Sequence, residues 1–314
     1  MRHLLLRRLG QLVIVLLLVS FLTLLMLRLL PVDPAYAIYG QNATKAQVAQ
    51  VHHQLGLDQP LLVQYGHWLG QVLTGNLGTS LRTGQTVTSA LATTLPITLE
   101  IVIIAELIAL AVAIPAGVYS AYRADGKLDR AVSAASSGMV AIPGFVLALV
   151  LVYFFAYVWR IFPATGWVSL TTDPGENLRH VILPAVTLAA VEAAVFTRVL
   201  RSDVYSTLRE NFVLAARAQG MPTGNVLWRT AFRPSSLSLT TLAGVSLGRR
   251  IGATVLVEII FSLPGAGQLL VQSIFANDIV MVQGVVIVLV AGVVIINFLV
   301  DLLHLYLDPR LRAA

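Results

Sequence analysis

Apolar residues gather in six stretches, at about 9–30, 95–121, 132–159, 181–200, 237–261 and 280–304, and the polar residues concentrate between them. Crossing about 30 Å of hydrocarbon at about 1.5 Å per residue takes about 20 residues, so each stretch predicts one membrane span. None shows the period-two alternation of a barrel strand, and backbone groups in lipid must be bonded within their own segment, so all six are predicted to be helices. Pro115, Pro143-Gly144 and Pro184 lie inside or at the edges of spans and predict kinks or broken turns. The first span follows a basic head, Met1–Arg8. Its apolar run exceeds the roughly 7 to 15 residues of a secretory h-region, and Arg28-Leu29-Leu30-Pro31 supplies no small-residue cleavage site, which predicts a retained anchor.

Two connections are too long to be plain turns. Residues 31–94 carry turn signals at Pro31-Val32-Asp33-Pro34 and Gly75-Asn76-Leu77-Gly78, with a helix-like stretch at about Thr44–Leu55 between them, and predict a small subdomain. Residues 201–236 are polar, basic and helix-prone up to Gly220-Met221-Pro222, which stops a helix. The chain thus divides into residues 1–30 (the N-terminal end and first span), the 31–94 subdomain, and a core from 95 to 314 containing spans 2 to 6 and the 201–236 loop. Fourteen Lys and Arg residues fall on one side of this layout, before span 1, between spans 2 and 3, around the span 4–5 connection and after span 6, against four on the other. Basic residues accumulate on the cytoplasmic side, which places both termini and the 201–236 loop in the cytoplasm and the 31–94 subdomain outside.

Composition agrees with a membrane protein: 57% of the 314 residues are hydrophobic and 11% charged, far below the roughly 25% charged residues of soluble domains. The net charge of +6 is spread over loops rather than clustered on a polar domain, so it reads as a topology signal and not as a nucleic-acid surface. The absence of Cys excludes disulfides, a thiolate nucleophile and Cys-based zinc.

Candidate chemistry is sparse. Asn211 to Met221 forms a short amphipathic pattern containing Ala215, Ala216 and Arg217 and ending at Gly220, small enough for close packing; the residues alone leave open a docking helix or a segment lying on anionic headgroups. Glu106, Glu192, Arg249 and Arg250 lie about 17 to 20 Å into their spans, near the bilayer midplane. Lone charges there are costly, so the four predict either ion pairs that hold helices together or a polar path. His52, His53 and His67 lack a clustered carboxylate set or a His-Glu-x-x-His spacing and read as solvated or packing residues, with no metal site. No catalytic constellation is evident. The only Gly-Lys, Gly126-Lys127, is followed by Leu128 rather than Ser or Thr, so the chain has no P-loop and ATP must bind elsewhere.

An ordered set of short motifs resembles the permeases of binding-protein-dependent ABC importers, in the dipeptide/oligopeptide branch. Leu29-Leu30-Pro31-x-Asp33-Pro34, Leu55-Gly56-Leu57-Asp58-x-Pro60-Leu61-x-x-Gln64-Tyr65, Gly78-x-Ser80 and Gly126-Lys127-x-Asp129-Arg130 come first. Phe162-Pro163-Ala164-x-Gly166-Trp167, Leu183-Pro184-Ala185, Glu258-x-x-Phe261-x-x-Pro264-Gly265-x-Gly267 and Leu307-Asp308-Pro309-Arg310 complete it. Ala215-Ala216-x-x-x-Gly220 resembles the EAA loop of these permeases, with Leu214 where the name-giving Glu stands. The resemblance implies an all-α membrane protein with the type I ABC importer transmembrane fold, six transmembrane helices and an extracytoplasmic insertion between helices 1 and 2. It implies a transport subunit of the cell (inner) membrane rather than an enzyme, with no cofactor in this chain and ATP and Mg on partner subunits. Implied partners are a second homologous permease, cytoplasmic ATPase subunits seated on Ala215, Ala216, Arg217 and Gly220, and an extracytoplasmic substrate-binding protein. The family usually has small or apolar residues where this chain has Arg249-Arg250. The alternative is a secondary transporter or a channel with no ATPase partner; no internal repeat or re-entrant filter loop is evident in favour of either.

Overall fold

The computed structural model describes residues 2–29 and 33–307. Leu30, Pro31 and Val32 of the first motif, and Asp308-Pro309-Arg310 and Arg312 near the C-terminus, lie outside the described residues. In chain order the helices are α1 (Arg2–Arg28), α2 (Pro34–Tyr39), α3 (Lys45–Leu55), α4 (Leu61–Leu73), α5 (Val87–Tyr122), α6 (Lys127–Ala141) and α7 (Gly144–Leu151). They continue with α8 (Pro174–Thr207), α9 (Asn211–Ala218), α10 (Thr223–Asn225), α11 (Phe232–Ile260), α12 (Ala266–Phe275) and α13 (Ile279–Leu307). Wider, π-helical turns extend α7 over Val152–Val158 and lead into α11 over Val226–Ala231.

Among the described residues, four helical segments are long and apolar enough to cross a membrane: Gly10–Arg28 of α1, α5, α8 and Ile279–Val300 of α13. The third predicted span, 132–159, is broken. α6 and the α7 segment meet at 104° across Ile142-Pro143, where the sequence predicts a break. Ile142 is extended (φ −84°, ψ 123°), as the residue before a proline prefers, and Pro143 has no N–H to continue the ladder. Pro115 and Pro184, by contrast, sit within continuous helices. The fifth predicted span, 237–261, corresponds to α11, whose 29 residues span about 43 Å. Arg249, Arg250 and Glu258 lower its apolarity, so length and composition together give five spans rather than six.

The chain forms two compact units, and α5 and α13 contribute to both. The first comprises residues up to Thr98 together with Pro264–Ile295, so it extends beyond the 31–94 stretch. The helix-like stretch predicted at about Thr44–Leu55 is α3, and α2 and α4 flank it. Thr44 and Gln47 form a capping box at the start of α3, and Gly56, left-handed at φ +64°, ends that helix. Asp33 caps α2, and its second carboxylate oxygen bonds His52 Nε2 at 2.7 Å. Tyr65 on α4 reaches α1 through Ser20 Oγ (2.9 Å) and the Leu17 carbonyl (3.1 Å), and stacks on Trp68.

The Gly78-x-Ser80 motif has a physical reason in this unit. Buried Ser80 donates to Asp278 Oδ2 at 2.5 Å, while the other Asp278 oxygen caps α13 through the Met281 N–H. Ser80 Oγ in turn accepts from the backbone N–H groups of Arg82 and Thr83. Gly78 is left-handed (φ +93°), and a Cβ there would sit 2.6 Å from Val280 Cγ1.

The second unit, Leu99–Leu263 with the chain from Ile296 onward, packs α11 and α6 on α8. α11 approaches the end of α13 through Gly244 and Gly248, spaced as in small-xxx-small membrane interfaces. A Cβ on Gly244 would meet Val300 at 2.5 Å, and one on Gly248 would meet Asn297 Oδ1 at 2.8 Å. An apolar groove of about 360 Å³ lies along α5, α6 and α8, lined by small residues such as Ala116, Ala135, Ala189 and Ala193.

Candidate functional site

The predicted docking segment follows the end of α8, which is itself clamped to α6. Arg201 forms a two-pronged ion pair with buried Asp129 of α6; the Nε contact is with Oδ1, and Nη2 lies 2.6 Å from Oδ2. Ser120 Oγ (2.6 Å) and the Asp125 N–H (2.9 Å) complete the carboxylate's shell. Asp129 precedes the apolar stretch 132–159 and Arg201 follows 181–200. The Arg201 hydrogen bonds outweigh burial, and with those from Ser120 and Asp125 they hold the Asp129 carboxyl well below the usual carboxylate range. One turn on, Tyr205 carries the Arg209 guanidinium over its ring at 4.3 Å.

α9 follows directly and ends in a Schellman motif. The Met221 N–H bonds the Ala216 carbonyl and the Gly220 N–H bonds that of Arg217, with Gly220 left-handed at φ +80°. Val213 and Ala216 are buried on the chain's own side, where α9 packs on the π-helical turn Val226–Ala231. That turn buries Val226, Leu227 and Ala231 and runs without a break into α11. Phe212, Leu214, Ala215, Arg217 and Gly220 are exposed. The sequence reading put Ala215 and Ala216 on one docking face. Successive helical residues are about 100° apart, and the structure separates them: Ala215 faces outward and Ala216 inward. Phe212 and Leu214, which the sequence reading did not single out, are exposed on α9 beside Ala215, and their apolar character in a polar loop was a usable signal. Arg217, Arg229 and Arg233 are exposed around it.

The four membrane charges form two ion pairs in the second unit. Arg250 Nη2 lies 3.0 Å from Glu106 Oε2 of α5, and Ser246 Oγ, one turn earlier on α11, donates to the same oxygen at 3.3 Å. Arg250 is 2% exposed and Glu106 7%. Arg249 Nη2 reaches Glu192 Oε1 of α8 at 3.5 Å, with 64% of the arginine side chain exposed. Two adjacent residues of α11 thus reach two different helices. Glu258, also on α11, is wholly buried. No group of three or more His, Asp or Glu suited to a metal occurs among the described residues; His52 is engaged with Asp33, apart from any such cluster.

Comparison with known proteins gives these elements a context. Residues 113–313 match the family described as binding-protein-dependent transport system inner membrane component, and residues 1–102 match the N-terminal membrane component of such systems. The chain is 38% identical over 312 residues to a putative peptide transport system permease protein of Brucella abortus (strain 2308), with 99% of each covered. It is 35% identical over 327 residues to the probable D,D-dipeptide transport system permease protein DdpB of Escherichia coli (strain K12), covering 97% of this chain and 96% of the relative. Among solved structures, inward-facing MetNI methionine ABC transporter is similar, with a TM-score of 0.57 at 18% identity over 70% of this chain and 96% of that chain.

Proposed function

Because the chain belongs to the family of binding-protein-dependent transport system inner membrane components, we propose that it lines the translocation path of an ATP-driven importer for peptides and is driven through α9. It is a multi-pass inner-membrane permease with the helical fold of type I ABC importers. The peptide cargo class follows the printed names of its relatives. A second homologous permease, two cytoplasmic ATPase subunits that bind ATP and Mg, and an extracytoplasmic binding protein complete the assembly. Both termini are cytoplasmic and α11 serves as the fifth of six spans, with Arg250 and Glu258 turned toward protein instead of lipid.

The observation that carries the coupling is the continuity from α9 to α11. α9 is a short, firmly terminated helix with an exposed face at Phe212, Leu214 and Ala215. Its inner face is locked to the turn that leads into α11. A displacement of α9 by a closing ATPase pair is therefore passed to α11, and from α11 to α5 and α8 through Arg250–Glu106 and Arg249–Glu192. Buried Arg250 acts as a brace, whereas exposed Arg249 lines the path, where it attracts anionic groups such as a peptide carboxylate.

Reconstitution tests the reading. With both permeases, the ATPases and the binding protein in proteoliposomes, labelled peptide should accumulate only with ATP. Uptake by this chain alone, driven by an ion gradient, would contradict it and favour a secondary transporter.

A further inference from the structure

The apolar groove of about 360 Å³ along α5, α6 and α8 lies wholly within the second unit. On α8 it runs from Val186 to Thr197, about 17 Å of helix, which is close to half of a hydrocarbon core of about 30 Å. The groove thus matches the depth of one leaflet. It is also turned away from the ion pairs. Successive helical residues step about 100°, which puts Glu192 about 130° around α8 from the mean direction of the groove residues, and Glu106 about 120° around α5 from Ile108, Val112 and Ala116. Both carboxylates turn to α11, where they meet Arg249 and Arg250. The groove opens on a side of α5 and α8 that those pairs do not use.

Only one end of the groove is charged. Tyr119 and Arg123 continue the row of Ile108, Val112 and Ala116 on α5, and Arg201 continues the row of Ala190, Ala194 and Thr197 on α8. The three helices are tied together there. Gly117 admits α5 against α8, where an added Cβ would lie 3.1 Å from Leu200 Cβ, and Asp129 of α6 accepts hydrogen bonds from Ser120 of α5 and Arg201 of α8. Asp129 offsets Arg201, whereas Arg123 and Arg198 are exposed. Residues 123–130 and 198–201 together carry five basic side chains against two acidic ones, Asp125 and Asp129. Exposed Tyr119 meets Trp228 edge to face at 6.1 Å, an aromatic rim of the kind found where a membrane core gives way to headgroups. The other end, at Ile108, Met139 and Val186, has no ionisable lining residue.

We propose that this groove seats an acyl chain of an anionic phospholipid, with the lipid phosphate held at Arg123 beside the Tyr119–Trp228 rim. The apolar walls take the chain, the one-leaflet length sets its depth, and the basic end fixes its direction. A helix from another subunit would fill the same walls without using Arg123. The basic end is the one assigned to the cytoplasm, where the leaflet surface is negative. The site rests on the membrane-spanning reading of α5, α6 and α8 and not on peptide transport, so its readout is lipid binding alone.

The test uses the full-length chain purified in detergent, with dioleoylphosphatidylglycerol and dioleoylphosphatidylcholine titrated separately and bound lipid counted by native mass spectrometry. A saturable phosphatidylglycerol adduct is expected, about fivefold tighter than the phosphatidylcholine adduct, the effect of one Arg near an anionic surface. Arg123→Gln should erase that preference and keep the weaker phosphatidylcholine adduct. Ala135→Phe fills the groove from an exposed lining position, where folding tolerates the larger ring, and should remove both adducts. Leu256→Phe, exposed on α11 and outside the lining, should change neither. Thermal unfolding checks that each variant is folded. Equal affinity for the two lipids, or adducts that persist in folded Ala135→Phe, would overturn the proposal. So would a heterodimer with the second permease that Ala135→Phe abolishes and Arg123→Gln leaves intact, if forming it expels the lipid; the groove would then be a subunit interface.

Discussion

Arg249 and Arg250 are neighbours in the chain yet reach different helices: Arg250 is 3.0 Å from Glu106 on α5, and Arg249 is 3.5 Å from Glu192 on α8. The one-residue step turns about 100° around α11, enough to aim consecutive side chains at separate partners. Their environments differ as much as their targets. Arg250 is enclosed by protein, whereas Arg249 keeps most of its side chain exposed.

Breaking the two ion pairs should therefore have different consequences. Removing Glu106 by Glu106→Gln strands Arg250 in a buried site, which costs about 3–5 kcal/mol, so thermal unfolding in detergent should shift down and assembled complex should be lost. Replacing both partners, Glu106→Leu with Arg250→Met, should recover much of that stability. Arg249→Gln should change stability by about 1 kcal/mol or less while reducing peptide uptake.

Asp129 provides a pH signature outside the spans. Its carboxyl is held low mainly by Arg201, so the folded form favours the charged state relative to the unfolded chain. That stabilisation is fully present above the unfolded pKa of about 3.9 and is lost as pH falls through the lower folded value. The melting-temperature difference between the parent and Asp129→Asn should stay constant from about pH 5 to 8 and shrink below about pH 4. A difference that already shrinks between pH 8 and 6 would mean that the Arg201 clamp does not control this group.

Ser80→Ala removes the hydroxyl that donates to buried Asp278 and should destabilise the chain by about 1–3 kcal/mol. Gly78→Val should do more harm, because a left-handed residue gains a branched Cβ against Val280. Both effects are read from thermal unfolding of the purified chain.

Gly220→Ala isolates backbone geometry at the end of α9. A Cβ there meets nothing within 4 Å, so the substitution acts through the left-handed φ of +80° alone and should cost about 1–2 kcal/mol locally. Hydrogen exchange should rise in α9 while the membrane helices keep their protection.

Much of the local structure was legible because it depends on short-range chemistry. Thr44-x-x-Gln47 and Gly56 bound α3, Pro143 breaks the third span, and Gly220 ends α9. The 104° bend at Pro143 was not legible, since proline breaks the ladder without setting the new direction. The stretch 237–261 was legible as apolar, but its charges leave α11 short of the apolarity of the other long helices, and composition cannot register that Arg250 and Glu258 are buried. Glu106, Glu192, Arg249 and Arg250 were recognisable from depth as groups needing partners, but their pairing depends on helix rotation. The Asp129–Arg201 clamp joins residues 72 apart, and only its first member lay in a recognised motif. The division of Ala215 from Ala216 similarly required knowing which side of α9 meets Val226–Ala231.

The coupling role of α9 is tested most directly by cysteine accessibility, since the chain contains no Cys of its own. Ala215→Cys and Ala216→Cys variants would be labelled with a membrane-impermeant maleimide in inside-out vesicles, with and without the ATPase subunits. Cys at 215 should react rapidly in the bare permease and become protected when the ATPases are added, while Cys at 216 should react slowly in both states. Labelling at 215 that is unchanged by the ATPases, in a complex shown to hydrolyse ATP, would contradict docking on α9.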